Sequence, residues 1–231
     1  MTSAILLLAG SSTRLESGVK KQFIKFHNKE LFIFPLETFY KIDEINNIFL
    51  VCQKGDFDHI NDVLSEYNFE NKEIYLVEGG LTRQKSVFNA LKFIYKNNID
   101  TDNVIIHDVA RFLVDEEIIL ENLKALENYP GTTTYLDESD SILTINTNYD
   151  IENYLNRDKI KKVQTPQAFK FDIIIEAHEK YEDVSVNDDA SLLLMEHQNI
   201  KLVRGSPLNF KVTTNEDLKL LELILKGKYE L

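Results

Sequence analysis

The sequence predicts an α/β fold, a three-layer, mostly parallel sheet with helices on both faces, and two observations point to it. Short apolar runs of strand length alternate with longer stretches whose apolar residues recur three and four apart, which is the βαβ pattern. The chain has 231 residues, 43% of them apolar and 28% charged, and this suits one globular unit with a substantial core, not a disordered or fibrous chain.

The first apolar run spans residues 4–8. No positive segment precedes it and polar Ser11, Ser12 and Thr13 follow at once, so it reads as a buried strand and not as a signal peptide. Strands are predicted at 47–51, 74–77, 104–106, 132–135 and 201–203. Amphipathic helices are predicted at 31–40, 57–67, 82–95, 116–128, 171–181, 189–197 and 215–225. The last helix has a readable start, because Thr214 can cap it and Asp217 stands three residues on, where a carboxylate meets the exposed amides.

Residues 136–162 break the alternation. They are rich in Asp, Glu, Asn and Lys with short alternating pieces such as Ile142-Leu143-Thr144-Ile145. Long irregular insertions are usually functional, so this segment reads as a projecting β-arm, with a surface loop as the alternative. No linker or repeat divides the chain, and a single domain over residues 1–231 is expected.

No stretch approaches the ~20 apolar residues of a membrane-spanning helix, and nothing marks the chain for export, so a cytoplasmic location away from membranes is expected. Cys52 is the single cysteine and ends an apolar run, which suits a small buried side chain better than a catalytic thiol. Lys and Arg total 26 against 38 Asp and Glu, a formal charge of −12 that argues against general nucleic-acid binding. An anionic ligand must therefore meet a local basic pocket.

Three pieces carry chemistry. After the first strand come Leu8-Ala9-Gly10-Ser11-Ser12-Thr13-Arg14-Leu15 and Gly18-Val19-Lys20-Lys21-Gln22-Phe23. A glycine and small hydroxyl residues let backbone amides approach phosphate oxygens, and Arg14 and Lys21 bring positive charge to the same loop. The piece lacks the Gly-Lys-Ser/Thr ending of a Walker loop, and Gly10-x-Ser12 breaks the dinucleotide pattern; a polar turn with solvated charges is the plain alternative. The second piece, Glu78-Gly79-Gly80-Leu81-Thr82-Arg83-Gln84-Lys85-Ser86-Val87, follows a strand and runs into a helix, with the glycine pair able to approach a flat ligand. The third, Ile105-Ile106-His107-Asp108-Val109-Ala110-Arg111, sets Asp108 just past the carboxyl end of a buried strand, where open parallel sheets bind ligands and where an acidic group can hold Mg²⁺ against a triphosphate. His107 suits a hydrogen-bonded histidine at the sheet edge better than a catalytic one.

In this order the three pieces resemble the 2-C-methyl-D-erythritol 4-phosphate cytidylyltransferase family. The resemblance continues in Asn156-Arg157, in Val163-Gln164-Thr165-Pro166-Gln167-Ala168-Phe169, in Asn187-Asp188-Asp189-Ala190-Ser191 and in Asn209-Phe210-Lys211-Val212-Thr213, so it covers essentially the whole chain. It implies a Rossmann-like domain whose β-arm, at about 136–162, embraces a second subunit. It implies a reaction in which CMP passes from CTP to 2-C-methyl-D-erythritol 4-phosphate, giving 4-diphosphocytidyl-2-C-methyl-D-erythritol and pyrophosphate on the route to isoprenoid precursors. The implied site has Arg14, Lys21 and Lys211 as catalytic cations, with Ala9, Gly10, Gly80, Arg83, Ser86 and Asp108 at the nucleotide and Asp108 beside Mg²⁺. Thr165, Asn187 and Lys211 would hold the acceptor, with Ser141 and Arg157 reaching in from the partner's arm.

Some positions depart from the family pattern. Ser11 and Ser12 stand where glycine is frequent, Lys20 and Phe112 where proline is usual, and Asn187 where a substrate-facing threonine is usual. None removes a charged group, so catalysis is better supported than the identity of the acceptor. Ribitol-5-phosphate cytidylyltransferases share much of this pattern, though Asp188-Asp189-Ala190-Ser191 favours the methylerythritol enzyme. A non-catalytic nucleotide-binding domain would be signalled by loss of Lys21 or Asp108, and both are present.

Overall fold

The computed structural model describes residues 1–8 and 20–229. In chain order its elements are β1 (Thr2–Leu7), a small hairpin of β2 (Lys25–Phe26) and β3 (Lys29–Glu30), α1 (Ile33–Lys41), β4 (Asn47–Cys52), α2 (Phe57–Leu64), β5 (Glu73–Glu78), α3 (Arg83–Lys96), β6 (Asn103–Asp108), α4 (Glu116–Ala125) and β7 (Gly131–Asp137). There follow β8 (Leu143–Ile145), β9 (Ile151–Tyr154), β10 (Lys161–Gln164), β11 (Gln167–Lys170), α5 (Phe171–Lys180), α6 (Asp189–Met195), β12 (Ile200–Arg204) and α7 (Asn215–Tyr229).

The main sheet runs β10-β7-β11-β6-β1-β4-β5, with β12 on the free side of β7. Neighbours β6, β1, β4 and β5 are parallel, as is β12 to β7, whereas β10 and β11 run antiparallel to their neighbours. The central strands are apolar on both faces because both are covered. Ala4 and Leu6 of β1 pack with Ile48 and Leu50 of β4 under α1, α2 and α7, while Ile5, Phe49 and Val51 pack on the other side under α3, α5 and α6. Cys52 lies fully buried in the first of these layers, where burial pushes its thiol up to about 12, so it is a packing residue.

Helix starts follow local chemistry. Thr82 caps α3 by accepting from Lys85 N–H, and Asp115 caps α4 by accepting from Ile118 N–H. At α7, Thr214 Oγ1 accepts from Asp217 N–H at 3.1 Å and Asp217 Oδ2 accepts from Thr214 N–H at 2.9 Å, the reciprocal box that the sequence predicts. The helix predicted at 57–67 stops at Leu64, and the one predicted to end at 225 continues to Tyr229.

Two strands of the main sheet were not anticipated, β10 and β11, nor was the separate β2-β3 hairpin, and β11 lies between β7 and β6 within the main sheet. It opens on Gln167, a polar residue at full burial, whose amide donates to Thr133 Oγ1 at 2.6 Å and Asp188 Oδ2 at 2.8 Å. Residues 136–162 leave the sheet along β7, return along β10, and between them form the separate antiparallel ladder β8-β9, with Leu143 opposite Tyr154. The apolar side chains of this ladder, Ile145, Tyr149, Ile151 and Tyr154 among them, are exposed.

Candidate active site

After β1 the chain winds to β4, and after β6 it winds the other way to β7, so the connections diverge between β1 and β6. Ligand crevices in open α/β sheets form at this point, beyond the strand carboxyl ends. Leu7 and Asp108, the last residues of β1 and β6, are register partners there.

Asp108 is the centre of a charge cluster. Its Oδ1 accepts from Arg83 Nε at 2.9 Å and its Oδ2 from Lys211 Nζ at 2.7 Å. Burial alone would raise the carboxyl's pKa, but the Arg83 and Lys211 charges hold it well below the usual carboxylate range, so it stays ionised. Lys21, on the single 3-10 turn Lys21–Phe23, donates from Nζ to the Val212 carbonyl at 2.8 Å, beside Lys211. Val212 N–H in turn donates to Ala110 O at 2.9 Å, fixing this segment to the residues after β6.

Two cavities meet at the cluster. A small one of about 130 Å³ is lined by Leu8, Lys21 and Phe112, and a larger one of about 420 Å³ by Arg111, Thr165, Asn187 and Ser191; Arg83, Asp108 and Lys211 line both. The arrangement is a wall of cations between two adjoining spaces, suited to holding two anionic groups side by side.

The other expected residues fall into distinct places. Gly80 and Ser86 form a unit at the start of α3: Ser86 Oγ accepts from Gly80 N–H at 3.0 Å and donates to Thr82 O at 2.9 Å. Only glycine fits at 80, since a Cβ would come within 2.5 Å of Lys85 Cβ and 2.9 Å of its backbone carbon. Thr165, 5% exposed, accepts from Asp108 N–H at 3.0 Å, so it fixes the strand end as well as lining the larger space. Ser141 and Arg157 are exposed on the 136–162 segment, where Arg157 donates to Ser139 O at 3.0 Å, and among the described residues no bond joins them to the Asp108 cluster. Ala9, Gly10 and Arg14 lie outside the described residues.

His107 requires a correction of place: β6 lies between β11 and β1, so His107 is in the sheet interior and not at its edge. Its ring lies 3.0 Å from Arg111 O through Nε2 and 3.2 Å from Thr165 Oγ1 through Nδ1, and burial lowers its pKa to about 4. It is a neutral histidine that braces the strand end.

The sequence reading missed three supports. Arg111, which ends the His-Asp-x-Ala-Arg motif, donates to Asn209 O at 3.0 Å and ties the strand end to the Lys211 segment. Asp189, 1% exposed at the start of α6, accepts from Arg83 Nη1 at 2.7 Å, and fully buried His178 of α5 lies 3.1 Å from its other oxygen. The line His178, Asp189, Arg83, Asp108 and Lys211 thus runs from the core to the mouth. The signal was the Asp188-Asp189 pair, of which Asp188 caps α6 by accepting from Ser191 N–H and Asp189 points inward.

Asp189→Asn is expected to destabilise the fold by about 3 kcal/mol, the cost of leaving a buried cation short of its partner; a urea titration measures it. Burial pushes the Asp189 carboxyl up, but Arg83 and His178 outweigh it and the pKa is lowered. A depressed folded pKa gives stability that is present above about pH 4 and lost as pH falls, so the variant should lose less stability than the parent on acidification.

An α/β sheet with a cation-lined crevice at its diverging strand ends is the architecture of a site for phosphate-bearing ligands such as nucleotides. The family model for 2-C-methyl-D-erythritol 4-phosphate cytidylyltransferase matches residues 2–227. A protein of that name from Alkaliphilus oremlandii is 34% identical, with 99% of this chain and 97% of the relative aligned, and one from Fusobacterium nucleatum is 36% identical with 94% of each aligned. The solved structure of 4-diphosphocytidyl-2C-methyl-D-erythritol synthase from Anaerococcus prevotii superposes with a TM-score of 0.84 at 31% identity, covering 97% of this chain and 96% of that one. The chain belongs to the 2-C-methyl-D-erythritol 4-phosphate cytidylyltransferase family and is a nucleotidyltransferase.

Proposed function

We propose that the chain transfers CMP from CTP to 2-C-methyl-D-erythritol 4-phosphate and releases pyrophosphate. The observation that supports this most directly is the pair of adjoining cavities sharing Arg83, Asp108 and Lys211, one beside Lys21 for the triphosphate and one beside Thr165 and Asn187 for the acceptor. An acceptor phosphate has its second pKa near about 6 and is largely dianionic at neutral pH, so its oxygen attacks the α-phosphorus of CTP without a general base. The new P–O bond forms as the α–β bridging P–O bond breaks, and pyrophosphate leaves with the electron pair. Lys21 and Lys211 offset charge on the reacting oxygens, which is where preorganised cations act most strongly. Gly80 brings the α3 start close to the cytosine, with Ser86 holding that turn.

Among the described residues no group of three or more His, Cys, Asp or Glu could hold a metal by itself. Asp108 is ionised at the wall shared by both cavities, which fits a hard cation taking one carboxylate and completing its shell with phosphate oxygens and water. Asp108 would hold Mg²⁺, which supplies further charge neutralisation to the triphosphate when bound. Asp108→Asn is expected to raise the Mg²⁺ concentration for half activity several-fold, about what loss of one anionic ligand implies; an unchanged Mg²⁺ titration would move the metal elsewhere.

The exposed apolar residues of the β8-β9 ladder suit a homodimer formed through this arm, because apolar patches of that kind mark interaction sites. Arg157 and Ser141 would then serve the partner's acceptor site. No helix among the described residues is long and apolar enough to cross a membrane, and small soluble substrates suit an enzyme of the cytoplasm. The deciding experiment is pyrophosphate release from CTP across a panel of alditol phosphates. The methylerythritol phosphate should exceed the others by about tenfold or more in kcat/KM; fastest release with ribitol 5-phosphate would replace the acceptor, and no release with any would overturn the activity.

A further inference from the structure

Lys20 adjoins Lys21 and is held from the neighbouring strand. Its ammonium lies 2.7 Å from both Asp56 oxygens and 2.8 Å from Gln53 Oε1, and these partners sit just past the carboxyl end of β4. The pair is largely shielded, with 30% of the Lys20 side chain and 13% of the Asp56 side chain exposed. On the other side, Lys20 O accepts from Phe23 N–H at 2.9 Å and opens the turn that carries Lys21. Lys20 therefore links the end of a core strand to the backbone that presents Lys21, which lines the smaller cavity and whose ammonium donates to Val212 O.

We propose that Lys20, Asp56 and Gln53 form a positioning clamp that sets the Lys21 backbone against the triphosphate side of the site. The clamp rests on the reading of Lys21 as a catalytic cation. None of its three members lines either cavity, so they act through Lys21 and not on substrate. The pair joins a loop to a strand end and packs in neither apolar layer, so its loss leaves the core intact, whereas a displacement of about 1 Å of a reacting group can cost about 10²-fold in rate. Function, and not folding, is where the clamp should register.

The backbone of Lys20 supplies an independent handle. Its φ of −61° with ψ of 131° matches the value that a proline ring imposes, and among the described residues its N–H makes no backbone hydrogen bond that a proline would remove. A covalent restraint at 20 should therefore stand in for the ionic one.

The test is steady-state kinetics with CTP and the acceptor on the full-length protein, with thermal melts alongside. Lys20→Met and Asp56→Asn should each lower kcat by about tenfold with the acceptor KM and the melting temperature nearly unchanged, and the double variant should lose about tenfold, not a hundredfold, because both break one clamp. Lys20→Pro should keep kcat within about threefold of the parent, and Asp56→Asn should cost nothing further in that background. Parent-like rates in Lys20→Met and Asp56→Asn, or losses that multiply in the double variant, would overturn the clamp provided Lys21→Ala is impaired. A Lys21→Ala enzyme of normal rate would instead overturn the reading of Lys21 beneath it, and the clamp with it. If Lys20→Pro does not fold, the Lys20→Met and Asp56→Asn cycle decides alone.

Discussion

Lys21→Ala is expected to lower kcat by about 10²–10³-fold, the effect of removing one preorganised charge donor aimed at a transition state, while the protein melts within a few degrees of the parent. Lys21 sits on a single 3-10 turn and not in either apolar layer, so its loss leaves the core intact. Its ammonium faces the small cavity that also holds Arg83, Asp108 and Lys211. Lys21→Arg should also be impaired, because a planar guanidinium fork does not replace a compact ammonium. Pyrophosphate release under saturating CTP and acceptor measures both variants, and a near-normal kcat in Lys21→Ala would remove Lys21 from the mechanism.

The parallel half of the fold was legible because its strands are buried on both faces and read as continuous apolar runs, as Ile48 to Cys52 does. β11 escaped for the opposite reason: it is four residues long, opens on a polar Gln167, and is inserted antiparallel by pairing with β6, which lies far back in the chain. Short strands whose polar residues are satisfied by distant partners carry no local periodicity.

The candidate site divides along the same line. Asp108 could be found from its place at a strand end, and Lys211 and Thr165 from the family motifs that hold them. The Arg83 to Asp189 bond spans 106 residues and is made only when α3 and α6 pack on one face of the sheet. Its purpose is physical: Asp189 and Asp108 hold the Arg83 guanidinium from two sides, so the cation is fixed before substrate arrives, which is what preorganised stabilisation requires. His107 was legible as a structural histidine, but only the hydrogen bonds to Arg111 and Thr165 explain why a polar ring stands inside the sheet.

Mixing inactive Arg157→Ala chains with inactive Lys21→Ala chains is expected to restore activity, because in an arm-exchanged dimer one site of each heterodimer receives both groups intact. The motivation is geometric. Arg157 stands exposed between β9 and β10, donates to Ser139 O within the same 136–162 segment, and makes no bond to its own chain's Asp108 cluster among the described residues. A chain of net charge −12 must gather positive charge locally to hold an acceptor phosphate beside a triphosphate. Random exchange makes half the dimers heterodimers, and each has one working site of two, so about a quarter of parent activity should return. Native mass spectrometry must first show that the subunits exchange. Heterodimers without activity would mean that Arg157 serves its own chain or neither, and the site would then be complete within one subunit.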